Sequence, residues 1–235
     1  MKINTDLVKN KKFKTPVKPG VLKHSQEYRV LATLRYLYPM KYDTMITGET
    51  PDLQDSVNSL GIEVTVAVTE NDMKVSRAFS ELYHGSLEDI EKRKEKIKSN
   101  GYAFVSFKDE KDVIAISGTS DGEKQFFLKC IRKKTKKLQH YRINFKKIGL
   151  AIILPEIPTS YAENHFSEWI FEAFKDTNNS FDFVHLISHR FCIYYDVQEN
   201  ISEKHSLTSN ESCLLSKIGR MTAEGELSLT DSEWL

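Results

Sequence analysis

Cysteine is scarce in this chain. Its three cysteines, Cys130, Cys192 and Cys213, lie far apart and show no zinc-ligand spacing. So small and odd a set excludes a disulfide-stapled scaffold and fits reduced thiols in the cytosol. No run of 18 apolar residues occurs, so no segment qualifies as a membrane-spanning helix. The lysine-rich start lacks the apolar stretch of a secretory signal, and a cytoplasmic location is expected. The formal net charge is only +1, which leaves any polyanion contact to local patches. Phosphate-cradling, dinucleotide-binding and nucleophile-elbow glycine signatures are absent, as are internal repeats and low-complexity segments.

What is present is enough apolar material for one sizeable core: 40% hydrophobic residues in a chain of 235. Charge is unevenly placed. Residues 1–22 form a basic arm with Pro16, Pro19 and Gly20, either solvated or contacting nucleic acid. Residues 23–198 read as the main domain. Residues 199–235 are Ser- and Glu-rich and read as a peripheral tail, although Leu214, Leu215 and Ile218 could dock a short helix.

Hydrophobic spacing predicts a helix over 24–38 with Ser25 as cap and Glu27 near its positive end. Strands are predicted over 42–47 and 60–68, with a polar loop over 53–59 between them. Helical periodicity follows over 71–99, broken at Gly85, then a hairpin of strands 102–107 and 113–117. A helix over 123–141, a buried strand over 148–154, a helix over 161–174 and strands over 181–188 and 191–197 complete the domain.

The most informative stretch is 48–68. Its strand, Leu60 to Val68, is almost wholly apolar and β-branched, so it reads as a central strand buried on both faces. Glu63 in its middle is out of place. An unpartnered buried carboxylate costs several kcal/mol, so a cation or donor should lie beside it. Glu63 and Thr65 share a face. Asp52, after Pro51 in an acidic turn, can reach that face too. Two carboxylates with strand carbonyls nearby make a hard oxygen site suited to Mg²⁺. Lys134 is a second anomaly, for it falls on the apolar stripe of its helix with Ile131 and Leu138. Each feature has a plainer reading: Asp52 as a turn residue, Glu63 in a structural ion pair, Lys134 snorkelling, the lysines of 129–137 as a solvated face. His185, His189 and Asp196 lie on adjacent late strands without an evident third close ligand, and His185 is expected to be packed and hydrogen-bonded. Cys130 and Cys192 read as core thiols.

Pro51-Asp52, then ten residues, then Glu63-Val64-Thr65, in this order of helices and strands, resembles the PD-(D/E)XK nuclease superfamily. The likeness covers about residues 24–197. Thr65 stands where the central motif usually ends in lysine, and some similar members carry that lysine on a later helix, here the helix with Lys134. The resemblance implies an α/β fold, a restriction-endonuclease-like core with a central mixed β-sheet flanked by helices. It implies a Mg²⁺- (or Mn²⁺-) dependent endonuclease that hydrolyses DNA. Asp52, Glu63 and the Val64 carbonyl would hold the metal, and Lys134 would orient water or bind the scissile phosphate. Thr65 would support a water, and Glu27 would hold a second ion through water. Lys133, Lys136 and Lys137 would line the nucleic-acid backbone, and a homodimer is plausible. The alternatives are a catalytically inactive nucleic-acid-binding protein of the same fold and a protein-interaction factor.

Overall fold

Pro19 opens a long helix, where its fixed φ suits the first turn and its missing N–H is not needed. Helix α1 therefore spans Pro19–Leu37, with Lys18 at the cap position, and Ser25 is a buried residue inside it rather than its cap. Glu27 lies two turns in, so it is not a first-turn charge on the helix dipole. The computed structural model describes residues 8, 10–68, 70–84, 89–100, 102–105, 113–115, 123–155, 160–177 and 179–229.

The protein is α/β, with a seven-stranded mixed sheet flanked by helices. The strands are β1 (Ile46–Thr47), β2 (Leu53–Asp55), β3 (Leu60–Val66), β6 (Lys147–Ile153), β7 (Phe183–Ile187), β8 (Phe191–Asp196) and β9 (Ile201–Ser206), adjacent in that order. β3, β6 and β7 run parallel at the centre, and the flanking pairs are antiparallel. A separate antiparallel hairpin joins β4 (Ala103–Val105) to β5 (Val113–Ala115), as expected; the charged turn predicted over 108–112 lies outside the described residues. The other helices described are α2 (Glu70–His84), α3 (Ile90–Ser99), α4 (Glu123–Thr135), α5 (Leu138–Tyr141), α6 (Ser160–Phe174) and α7 (Ser209–Ala223).

Strand alternation divides the core into two layers. Ile62, Val64, Ala151 and Ile153 face α1 and α7. Ile148, Leu150 and Ile152 face α4, α5 and α6 through Ile131, Leu138 and Phe166. α1 and α7 cross so closely that a Cβ on Gly219 would lie 2.6 Å from the Arg29 amide nitrogen. Only glycine fits that crossing.

Four further expectations need correction. Residues 42–45 are not strand, and only Ile46–Thr47 pairs with β2. Residues 53–59 are not all loop, because Leu53–Asp55 pairs with β3. The helix predicted over 123–141 is two helices, interrupted at 136–137. Residues 199–229 are no peripheral tail: β9 completes the sheet, and α7 buries Leu214, Leu215 and Ile218 in the core. Arg35 ties this end down, its buried guanidinium donating to the carbonyls of Tyr42, Asp43, Met45 and Leu229. The described part of the basic arm is docked rather than free. Arg220 donates to the Thr15 carbonyl and lies over the Phe13 ring, and Lys11 pairs with Glu226. Among the described residues no helix is long and apolar enough to cross a membrane.

Candidate functional site

β3 carries the site because it is enclosed by β2 on one side and β6 on the other. Ile62 and Val64 point to the α1 and α7 layer, so Glu63 points to the layer of α4 and α5. Its side chain is only 6% exposed. Leu53 pairs with Ile62, and one further step along that register brings Asp52 opposite Glu63. Asp52 is buried as well, and its Oδ2 accepts the Val64 N–H at 2.8 Å, just beyond the last β2–β3 pair. Gly61 lets the Pro51-Asp52 turn close onto the strand, since a Cβ there would meet Pro51 Cγ at 2.5 Å.

The partner that a buried Glu63 requires is Lys134. Its ammonium lies 2.5 Å from Glu63 Oε1 and donates to the Val64 carbonyl at 3.0 Å. The lysine therefore sits directly on the carboxylate. Its place on the apolar stripe of α4 brings it there: Lys134, Leu138 and Tyr141 follow one another on the inward side of α4 and α5. The buried Tyr141 also hydrogen-bonds Glu63. Burial first, then the charge and hydrogen bond of Glu63 and the charge of Asp52, push the Tyr141 phenol's pKa up, so it stays a donor.

α1 supplies the other half. Glu27 is almost wholly buried, and its Oε2 meets His24 Nδ1 at 2.9 Å. Lys23, one turn earlier, bridges Glu27 Oε1 and Asp52 Oδ1 at 3.0 Å each. The contact with Glu27 Oε1 is ionic rather than a well-directed hydrogen bond, so that buried oxygen keeps acceptor capacity. Burial opposes the charge on Lys23, but its contacts with Asp52 and Glu27 outweigh that and hold its pKa above the usual lysine range.

Glu27, Asp52, Glu63 and Lys134, singled out from sequence, are thus brought into one linked network. Thr65 is half-buried two residues along β3 from Glu63. Lys133, Lys136 and Lys137 are exposed, as are Arg132 and Lys146. Sequence reasoning missed Lys23 and Tyr141. The signal for Tyr141 was its place on Lys134's stripe; for Lys23 it was the four-residue spacing to Glu27, hidden by placing the helix start too late.

The network holds three buried carboxylates against two ammonium groups, so it carries an excess of negative charge. Its possible metal donors are hard oxygens already in contact with lysines: the Asp52 and Glu63 carboxylates with the Val64 carbonyl. An all-oxygen set of this kind is the type that Mg²⁺ or Mn²⁺ accepts together with waters, and it lacks the nitrogen and sulfur donors of most zinc sites. Among the described residues, no group of three or more His, Cys, Asp or Glu is placed to hold a metal on side chains alone. The late histidines do not form a site: His185 is fully buried and bonded to the Tyr42 hydroxyl at 2.7 Å, and His189 contacts Ser212. Cys192 is buried beside His185, whereas Cys130 is half-buried and so not fully a core thiol. No family model, no curated protein and no solved structure matches this chain.

Proposed function

We propose that this protein is a Mg²⁺- or Mn²⁺-dependent nuclease that hydrolyses DNA, with its centre on β3. The observation that carries the reading is one junction. Glu63, the Val64 backbone, Asp52 and Lys134 come from β3, the turn before β2 and α4, and they meet through direct contacts. A structural ion pair alone needs only one acid and one base. Here a second buried acid reaches the same strand position and a third lies behind it.

A divalent ion at such a site supplies Lewis acidity and a bound water of lowered pKa. The chain's own residues do the rest. Asp52 and Glu63 provide the negative charge that attracts the cation, and burial with their contacts to Val64, Lys23 and Lys134 restrains both. Lys134 now lies on Glu63 and Val64; with an ion on those oxygens its ammonium would leave the Val64 carbonyl and would hold an attacking water or a scissile phosphate oxygen. Tyr141 keeps Glu63 in place from the buried side. Thr65 offers a hydroxyl along the same strand face. Lys133, Lys136 and Lys137 neutralise backbone phosphates without reading sequence.

Cleavage of plasmid and linear DNA tests the proposal: Mg²⁺-dependent strand breaks, lost in Asp52→Asn and in Glu63→Gln. Equal cutting by both variants and the unaltered chain refutes it. The two lysines already seated on the carboxylates favour a second reading, an inactive nucleic-acid-binding protein whose acids serve only as ion pairs. Salt-sensitive DNA binding with no cleavage in Mg²⁺ or Mn²⁺ selects that one.

A further inference from the structure

Two lysines touch the acid network, and they are held very differently. Lys134 is 19% exposed, pinned by Glu63 and Val64 from a packed helix. Lys23 is 66% exposed and stands in the first turns of α1. Its stem lies largely in water, so moving its ammonium away removes little packing. What it leaves behind is a pair of buried oxygens, Asp52 Oδ1 and Glu27 Oε1, that both faced one cation. Glu27 Oε1 has no directed hydrogen bond to fall back on.

We propose that Lys23 is a displaceable placeholder: its ammonium compensates Asp52 and Glu27 until a divalent cation bound to Asp52 and Glu63 displaces it from Asp52. This inference rests on the metal-site reading above. Bringing in a divalent ion beside a fixed ammonium is unfavourable, so metal affinity is set by how easily Lys23 leaves. The placeholder keeps two buried carboxylates from facing each other uncompensated before metal arrives. It also makes the site selective by charge, because a monovalent ion gains nothing over the resident ammonium.

The test is Mn²⁺ binding to the full chain, followed by calorimetry and by the electron paramagnetic resonance of free Mn²⁺. Lys23→Met is expected to bind Mn²⁺ roughly fivefold tighter than the unaltered chain, the equivalent of removing one exposed ion-pair competitor. Lys23→Arg, which keeps the charge, is expected to bind no more tightly than the unaltered chain. Lys23→Gln guards against a fold defect in the methionine variant, and melting curves of each variant with and without Mn²⁺ give a second readout. Equal or weaker Mn²⁺ binding by both neutral variants overturns the placeholder while leaving the metal site standing. No Mn²⁺ binding by any form overturns the metal site and the placeholder with it.

Discussion

Removing Lys134 should strand Glu63, and the cost can be worked from the contacts. In Lys134→Met the Glu63 carboxylate, 6% exposed, loses its ammonium and keeps Tyr141. Breaking a buried pair from one side costs about 3 kcal/mol or more. Glu63→Gln is milder. The amide oxygen still accepts from Lys134, the ammonium still donates to Val64, and its 19% exposure lets water approach; about 1–2 kcal/mol is lost. In the double variant no uncompensated charge remains, so the two losses do not add, and a coupling of about 2 kcal/mol is expected. Urea denaturation in the presence of chelator, at constant m-value, measures all three. Losses that add to within about 0.5 kcal/mol would refute the claim that Lys134 is the charge partner on which buried Glu63 depends.

Other consequences are equally direct. Burial, with help from Lys41 and His205, pushes the His185 pKa down to about 3, below the ordinary value near 6.5. The unfolded chain therefore takes up this proton first: the contribution is fully present above about pH 6.5 and is lost as pH falls toward 3. Stability should decline by up to about 1.4 kcal/mol per pH unit in that window, and His185→Gln should flatten the slope. An unchanged slope in urea titrations from pH 6 to 4.5 would contradict the assignment. Gly219→Ala should cost about 1–3 kcal/mol, because the new methyl meets the α1 backbone; an unchanged Tm would mean the helices are not so close. Replacing Lys133, Lys136 and Lys137 by glutamine should reduce the salt slope of DNA binding by about 2–3 contacts. A slope equal to that of the unaltered chain would remove those residues from the interface.

Much of the fold was legible because its strong signals are long. The β-branched run of β3, the apolar run of β6 and the helical stripe of α6 decide their own states, and the structure keeps them within a residue or two. What failed was short or polar. β2 is three residues long and includes Gln54 and Asp55. Asp55 is tolerated in a buried strand because Thr44 and Asn58 satisfy it, a local arrangement that periodicity does not report. β9 is Ile-Ser-Glu-Lys-His-Ser and mostly exposed, held by its ladder to β8 rather than by an apolar face. An edge strand of this kind has no hydrophobic pattern to read. α1 begins without a side-chain cap, so its true start was invisible, and with it Lys23.

The site was partly legible for a different reason. Glu63 and Lys134 each violate the pattern of their own element, and two such violations on facing elements tend to answer one another. Asp52 was found through its turn chemistry. The direct seat of Lys134 on Glu63, without an intervening water, belongs to tertiary placement that spacing does not encode.

The most direct measurement is an anomalous difference map from crystals soaked in Mn²⁺. The account predicts a single strong peak shared by the Asp52 and Glu63 carboxylates and the Val64 carbonyl, with the Lys134 ammonium withdrawn from Val64. A map without a peak there, and Lys134 still bonded to both Glu63 and Val64 at saturating Mn²⁺, would contradict it.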